Sequence, residues 1–417
     1  MKPKKYLVPD YYPAFRCIGG ACEDSCCIGW NISVEETAYQ RYQKVDHPTL
    51  TPLFRQAIVA APKEQRNVHT AAYIQKKPDG RCSFLKPDGF CLIQSELGEE
   101  ALCDTCASYP RNVNFFGGQN ECSLGISCPE AARQVLLHPD PIQFIVVDAD
   151  PALAKRTHLA PAYRFPLQGS GDPTQITTLN DLRGLIIGIL QFRELELGAR
   201  LMVLGFLLDD VDKVVSAPGF RNAAEIVPVL QGYADFLSSP QTAAVQFSQL
   251  AGNLPRKLHL IGGVITELLA SQAKPRLNAC LLAASEGLLA EGGDDAALVQ
   301  RYTAALNENF APFLREHGYM LENYLVNQVY SRLFPFTRAS YLDLYRELVC
   351  SLAVLQVLLV GMAARDGHLE TRQALQLLQS FARKAHHNPT YLDKLLNAAG
   401  ATGPGAFVDV MWLLKDE

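Results

Sequence analysis

The hydrophobic pattern changes character along the 417 residues of the chain. In the first 130 or so residues, apolar stretches are short and are separated by turn signals such as Pro78-Asp79-Gly80 and Gly117-Gly118. From about residue 177 onwards, apolar residues recur every three or four positions, as Leu182, Leu185 and Ile189 do, which predicts amphipathic helices. Similar patterns continue to about residue 398. The sequence therefore predicts a mostly α-helical protein in which a small, loop-rich N-terminal module precedes a larger all-helical domain.

Proline separates the two parts. Six prolines fall between residues 139 and 173, and proline at that density prevents long helices. We therefore predict a cysteine-rich module over 1–137, a proline-rich connecting segment over 138–176 and a helical domain over 177–417. The apolar run 142–147 predicts a short strand within the connecting segment. Because the elements of the first module are short, we expect it to bury little apolar surface and to need metal ligation for its stability.

Composition narrows the class of protein. Hydrophobic residues make up 48% of the chain and charged residues 19%, with a net charge of −5, so the chain as a whole has no electrostatic case for binding nucleic acid. The N-terminus has no apolar core of a signal peptide. The most apolar stretch, 348–364, is interrupted by polar residues and is predicted to be a buried helix, not a membrane span. A cytoplasmic location is expected, and the sequence leaves the oligomeric state open.

Ten of the twelve cysteines lie in the first 128 residues. Such clustering indicates a metal site, because thiolates are the soft ligands that zinc and iron–sulfur clusters select. The cytoplasm would also keep these thiols reduced, which argues against disulfides. The predicted ligands are Cys17, Cys22, Cys26, Cys27, Cys82, Cys91, Cys103, Cys106, Cys122 and Cys128.

The spacing of the cysteines leaves the kind of centre open. Cys103 and Cys106 are separated by two residues, so their sulfurs can meet on one metal from a tight turn. Side chains of the adjacent Cys26 and Cys27 would point apart in an extended segment, so the two would serve different sites or only one would ligate. Ten thiols exceed the four needed by one zinc or one cluster. A [4Fe–4S] cluster with spare thiols and a cluster with zinc both fit, and so does zinc in place of the cluster.

The cysteine motifs carry a family resemblance. Cys17-x4-Cys22-Glu-Asp-Ser-Cys26-Cys27-Ile-Gly-Trp30, Cys106-Ala-Ser-Tyr-Pro-Arg111 and Ser127-Cys-Pro-Glu130 resemble the flagellin lysine N-methylase family. Shorter matches are Cys82-Ser-Phe-Leu85 and Cys91-Leu-Ile. That family shares its cysteine-rich part with a broader group of zinc- or iron-chelating proteins. The resemblance continues near the C-terminus, through Leu321-Glu-Asn-Tyr-Leu-Val-Asn327 and Leu333-Phe-Pro335.

The resemblance implies an enzyme that transfers a methyl group from S-adenosylmethionine to lysine side chains of flagellin. It also implies an iron–sulfur cluster held by the cysteines. The alternative from another class is a non-enzymatic metal-binding adaptor whose helical domain binds a partner. The sequence contains no Gly-x-Gly-x-x-Gly after a strand, so we expect an S-adenosylmethionine site of a kind other than the Rossmann type. No catalytic base can be named from the sequence.

Two sets of residues are candidates for the cofactor site. Asn323 and Asn327 lie four residues apart on one face of a predicted helix over 314–333, with Tyr324 beside them, and their amides could hold the amino-acid part of the cofactor. The competing interpretation is an exposed polar face or asparagines that cap neighbouring loops. Trp30 and Tyr109 are the aromatic residues that could instead face a sulfonium.

Overall fold

The computed structural model describes residues 5–116, 118–148, 173–271, 274–289, 294–335, 341–385 and 408–417. The predicted helix over 390–398 and most of the predicted connecting segment therefore lie outside the described residues. The contacts divide the chain into two units. The cysteine unit comprises Met1–Gln134 with Gln143–Pro161, and the helical unit comprises Val135–Ile142 with Ala162–Glu417.

Two small sheets form the frame of the cysteine unit. One has the strand order β5-β6-β1-β7 and the other the order β2-β4-β3. Strand β1 runs parallel to β6 and antiparallel to β7, so the first and last strands of the unit pair with each other. The strands are β1 (Lys5–Pro9), β2 (Ile32–Val34), β3 (Ile58–Ala60), β4 (Ala72–Ile74), β5 (Arg111–Phe116), β6 (Gln119–Leu124) and β7 (Phe144–Asp148).

Strand β7 confirms the strand predicted from the run 142–147. The preceding residues, Val135–Ile142, belong to the helical unit. Strand β7 then pairs with β1, so the chain returns to the N-terminal sheet. The helices of this part of the chain are short: α1 (Glu36–Gln43), α2 (Leu50–Ala57), α3 (Leu92–Leu97), α4 (Asp104–Ser108) and α5 (Pro129–Leu136).

The cysteine unit has a hydrophobic core of its own. Tyr42 stacks on Phe54 with ring centroids 4.5 Å apart, and Phe54 contacts Phe84 at 5.2 Å. All three rings are at most 2% exposed. The expectation that this module buries little apolar surface is therefore wrong, because residues from many short elements converge on one cluster. Metal ligation would add to this core and would not replace it.

The helical unit is built from much longer elements. Its helices are α6 (Pro173–Leu190), α7 (Leu197–Val215), α8 (Val227–Phe236), α9 (Pro240–Ser248), α10 (Leu254–Ala270), α11 (Pro275–Leu288), α12 (Asp295–Ala305), α13 (Ala311–His317), α14 (Tyr319–Ser331), α15 (Tyr341–Asp366), α16 (Thr371–Ala385) and α17 (Val408–Met411). The predicted fold class, a loop-rich cysteine module followed by a mostly helical domain, is confirmed.

Helix α15 is the centre of the helical unit. Among the described residues it alone is long and apolar enough to cross a membrane, but 89% of its most apolar window is buried against the rest of the protein. It packs closely on α11, where a Cβ on Gly287 would lie 1.9 Å from the carbonyl oxygen of Gly361. Glycine is therefore required at this crossing. The apolar character of α15 is that of a core helix.

The end of the chain is anchored in the same core. Lys257, which is fully buried, donates from Nζ to Asp416 Oδ1 at 2.8 Å. Tyr302 Oη donates to the same oxygen at 2.7 Å. Burial lowers the pKa of Lys257, and the carboxylate of Asp416 opposes that shift. A buried cation is tolerated here because a carboxylate of the same unit compensates it.

Candidate metal centre and cofactor residues

Backbone pairing brings distant cysteine segments together within the cysteine unit. The amide of Cys82 donates to the carbonyl of Cys27 at 2.8 Å, next to a bridge between Ile28 and Arg81. A second bridge joins Leu85 to Cys91. The segment that carries Cys26 and Cys27 is therefore held beside the segment that carries Cys82 by main-chain hydrogen bonds.

Glycines allow a further close approach. A Cβ on Gly20 would lie 2.3 Å from the carbonyl oxygen of Asp88, and one on Gly89 would lie 2.8 Å from the Cα of Gly20. Gly89 also has a φ of 82°, which disfavours other residues. Only glycines permit these two backbones to touch. The contact places the loop between Cys17 and Cys22 against the loop that leads to Cys91.

The cysteines surround a small pocket in this unit. Its volume is about 130 Å³, well below the roughly 300–1,000 Å³ of pockets that enclose drug-sized ligands. Asp24, Glu99, Arg111 and Glu130 lie in its wall beside the sulfurs. The dimensions suit a metal centre better than a whole nucleoside cofactor. Seven of the ten predicted ligands line it: Cys17, Cys22, Cys26, Cys27, Cys91, Cys106 and Cys128.

Backbone N–H groups point at several of these sulfurs. The amide of Gly19 donates to Cys17 Sγ at 3.5 Å. Cys91 and Cys128 stand at the N-termini of helices α3 and α5, and each accepts hydrogen bonds from backbone amides of the first turn. Hydrogen bonds from amides favour the charged form of a group, and in metal sites they tune the bound cluster. The local backbone is therefore suited to thiolates.

Most of these thiols have pKa values above the usual value for a cysteine. Burial raises the pKa of Cys128 to about 11 and that of Cys82 to about 12, and neighbouring cysteine sulfurs add to both shifts. The hydrogen bond that Cys26 donates to the Cys27 sulfur lowers the pKa of Cys27 to about 7 and raises that of Cys26. Like groups in one site oppose each other's ionisation. A bound cation would remove that opposition.

The adjacent cysteines do not point apart as predicted. Cys26 and Cys27 lie in a turn, not in an extended segment, and their sulfurs are within hydrogen-bonding distance. They still face different neighbours. Cys17 and Cys128 contribute to the raised pKa of Cys26. Cys27 instead contributes to the raised pKa values of Cys82, Cys91 and Cys106.

The sulfurs approach one another in pairs. Cys103 and Cys106 form a second hydrogen-bonded pair. Across the described residues, no three histidine, cysteine, aspartate or glutamate side chains converge as the ligands of one ion. All twelve cysteines are described as free thiols. The structure thus shows the thiols gathered around a pocket, and the ligand set within them stays a prediction.

Five of the twelve cysteines do not line this pocket. Cys122 is in strand β6 and donates from Sγ to Tyr12 Oη at 3.3 Å, within the small core formed with Tyr6 and Val8. That core is separate from the one to which Cys82 and Cys103 belong. Cys280 and Cys350 are buried in helices of the other unit, as expected of small apolar residues.

The predicted aromatic residues belong to the pocket. The rings of Trp30 and Tyr109 have centroids 5.6 Å apart and are inclined at 46°. The indole of Trp30 donates to the carbonyl of Cys26, and Tyr109 Oη bonds Ser127 Oγ at 3.2 Å. Both rings line the cysteine pocket. The structure therefore brings these two aromatic residues to the candidate metal centre.

Asn323, Tyr324 and Asn327 are placed differently. All three are at most 2% exposed within helix α14, so neither the exposed polar face nor an open binding face describes them. Asn323 Nδ2 donates to the carbonyls of Val135 and His138 at 3.0 and 2.7 Å, which satisfies the end of helix α5. Its Oδ1 atom is buried with no hydrogen-bond partner. None of the three residues lines the cysteine pocket.

No local sequence pattern singles out the residue next to Asn323. Glu322 is 2% exposed and accepts from Arg193 Nη2 at 2.9 Å and from Arg200 Nη1 at 2.7 Å. Arg200 also donates to two backbone carbonyls, of Leu190 and Leu195. The residues lie more than a hundred positions apart along the chain, so no local pattern could have paired them. Their network is a structural one.

Comparison with known proteins shows the family to which the chain belongs. A sequence model described as the FliB lysine N-methylase C-terminal domain matches residues 183–407, which is more than half of the chain. The chain belongs to the FliB lysine N-methylase family. The family resemblance found in the cysteine motifs and in residues 321–335 is thereby confirmed.

Three named relatives match a shorter region. Proteins named lysine-N-methylase from Salmonella typhimurium and Salmonella choleraesuis are 31% identical over 140 residues, which is 34% of this chain and 34% of each relative. The match thus spans about a third of the length of these relatives. A flagellar biosynthetic protein FliU of Salmonella muenchen is also 31% identical over 140 residues, which cover 82% of that protein. No solved structure matches the chain.

Proposed function

We propose that this FliB-family chain is an S-adenosylmethionine-dependent methyltransferase that modifies lysine side chains of flagellin. The observation that carries the proposal is the match of residues 183–407 to the FliB lysine N-methylase C-terminal domain. The names of the relatives, lysine-N-methylase and flagellar biosynthetic protein FliU, support a lysine substrate on a flagellar protein.

The reaction would be a displacement at the sulfonium methyl group. The lysine amine first loses a proton, because an ammonium has no lone pair with which to attack. Its nitrogen would then bond the methyl carbon while the carbon–sulfur bond breaks, and S-adenosylhomocysteine would leave with that electron pair. The protein's task is to desolvate the amine and to hold the two reactants in line.

We also propose that the cysteine pocket holds an iron–sulfur cluster. The donor set fits, because the pocket offers seven thiols, two of them at helix N-termini, and several backbone amides that donate to sulfur. A bound cluster would cross-link the loops and provide one-electron redox capacity. Trp30 and Tyr109 would form an aromatic wall beside it. Zinc on four of the same thiols is the competing occupant.

Mass spectrometry of flagellin co-expressed with this chain tests the proposed activity. We expect lysine-bearing peptides of flagellin to gain mass in steps of one methylene group, with unmodified flagellin in cells that lack the chain. Incubation of purified, metal-loaded protein with flagellin and isotopically labelled S-adenosylmethionine should transfer the label. Unmodified flagellin in both experiments would contradict the enzyme and would favour a metal-binding adaptor.

A further inference from the structure

A second pocket lies within the helical unit, between helices α7, α8 and α9. It is an open groove of about 930 Å³, which is at the upper end of the range of roughly 300–1,000 Å³ for ligand pockets. Its floor and walls are largely apolar. Phe206, which lines it, is 40% exposed. The apolar lining includes Met202, Val203, Val214, Val229 and Leu250.

The groove contains side chains that can bind a cation. Asp210 lines it, and its Oδ2 accepts a hydrogen bond from Tyr233 Oη at 2.9 Å. Phe206, Tyr233 and Phe236 also line the groove. Aromatic faces and a carboxylate together are the groups that attract alkylammonium ions, including methylated ones.

The structure shows an ammonium at this place. Lys213 Nζ lies 2.9 Å from Asp210 Oδ1 and 2.7 Å from Asp209 Oδ2. The Lys213 side chain is 66% exposed, so the pair is screened by solvent and contributes little to stability. Lys213 therefore acts as a weakly held occupant that another lysine could displace at small cost.

We propose that this groove binds a lysine-bearing segment of the protein substrate. The ammonium of the incoming lysine takes the place of Lys213 on Asp210, and its methylene groups lie along the apolar wall. The aromatic side chains of Phe206, Tyr233 and Phe236, which line the same groove, also suit the methylated product. This inference rests on the proposed function, because a lysine-modifying enzyme must recognise a lysine segment of a protein.

Binding of fluorescently labelled flagellin monomer, measured by anisotropy, tests the groove without any catalytic readout. We expect Asp210→Asn to weaken binding about tenfold, because it removes a charge-assisted contact. Lys213→Gln should tighten binding several-fold, because it removes the internal competitor. Asp235→Asn is the matched control: Asp235 is an exposed carboxylate of helix α8, which borders the groove, but Asp235 itself does not line it. Its loss should leave the affinity unchanged.

Three results would overturn the inference. Equal affinities of wild type, Asp210→Asn and Lys213→Gln, all shown to be folded by circular dichroism, would exclude the groove while leaving the proposed function intact. Displacement of flagellin by S-adenosylmethionine, with loss of cofactor affinity in Asp210→Asn, would make the groove a cofactor site. Failure of the wild-type protein to bind flagellin at all would contradict the proposed substrate, and the groove assignment with it.

Discussion

The two units differ in the partners that their buried polar groups meet. In the helical unit, buried charges meet partners of opposite sign from the same unit: Glu322 meets Arg193 and Arg200, and Lys257 meets Asp416. In the cysteine unit, thiols of one kind face each other, and burial and mutual repulsion raise the pKa of most of those with shifted values. Buried groups that compensate one another need nothing else. Like groups gathered around a pocket are what a bound cation would compensate, and the proposed metal centre rests on this difference between the units.

Removing one partner of a buried ion pair in the helical unit should leave the charge of the other partner uncompensated. Glu322→Ala leaves the buried guanidinium of Arg200 unpaired, and we expect the free energy of unfolding of the helical unit to fall by about 3–5 kcal/mol. Urea unfolding followed by circular dichroism measures this. Glu316→Ala is the control, because the side chain of Glu316 is 78% exposed and its loss should change stability by less than about 0.5 kcal/mol. Equal effects of the two variants would show that the buried network is not structural.

Asn323 provides a second test in the helical unit. The sequence predicts that it contacts the cofactor, whereas the structure shows it bonded to backbone carbonyls. Asn323→Ala removes two hydrogen bonds to backbone carbonyls, so we expect a loss of about 1–2 kcal/mol in the free energy of unfolding of the helical unit. Calorimetric titration of the folded variant with S-adenosylmethionine should give the wild-type affinity. A variant of unchanged stability with weakened cofactor binding would instead support the cofactor role predicted for helix α14.

The structure confirms those sequence predictions that depend on local pattern. The run 142–147 falls largely in strand β7, and the apolar spacing after residue 177 forms helices. The metal chemistry indicated by the clustered cysteines stays a prediction. What could not be predicted depends on partners distant in sequence. The strand register that places Cys122 opposite Val113, away from the pocket, is one example. The burial of every side of helix α14 is another, since the spacing of Asn323 and Asn327 defines a shared face but not what covers it.

The core of the cysteine unit also depends on residues that are distant in sequence. Tyr42, Phe54 and Phe84 come from segments that each carry few apolar residues, so no single stretch indicates a core. The groove of the helical unit was missed for a related reason. Asp209, Asp210 and Lys213 have the spacing of ordinary ion pairs on a helix surface, and only the packing of α7 against α8 and α9 shows that Asp210 borders a groove.

The metal content of anaerobically purified protein tests the central claim most directly, namely that the pocket thiols are compensated by a metal centre. We predict iron and acid-labile sulfide in equal amounts in the wild-type protein, about four of each per chain for a [4Fe–4S] cluster. Cys106→Ser should lose most of both, because it removes a thiol that lines the pocket. Cys122→Ser, at a buried cysteine of the same unit in a different core, should retain them. Wild-type protein that contains only zinc would contradict the cluster, and equal metal content in all three proteins would contradict the pocket as its site.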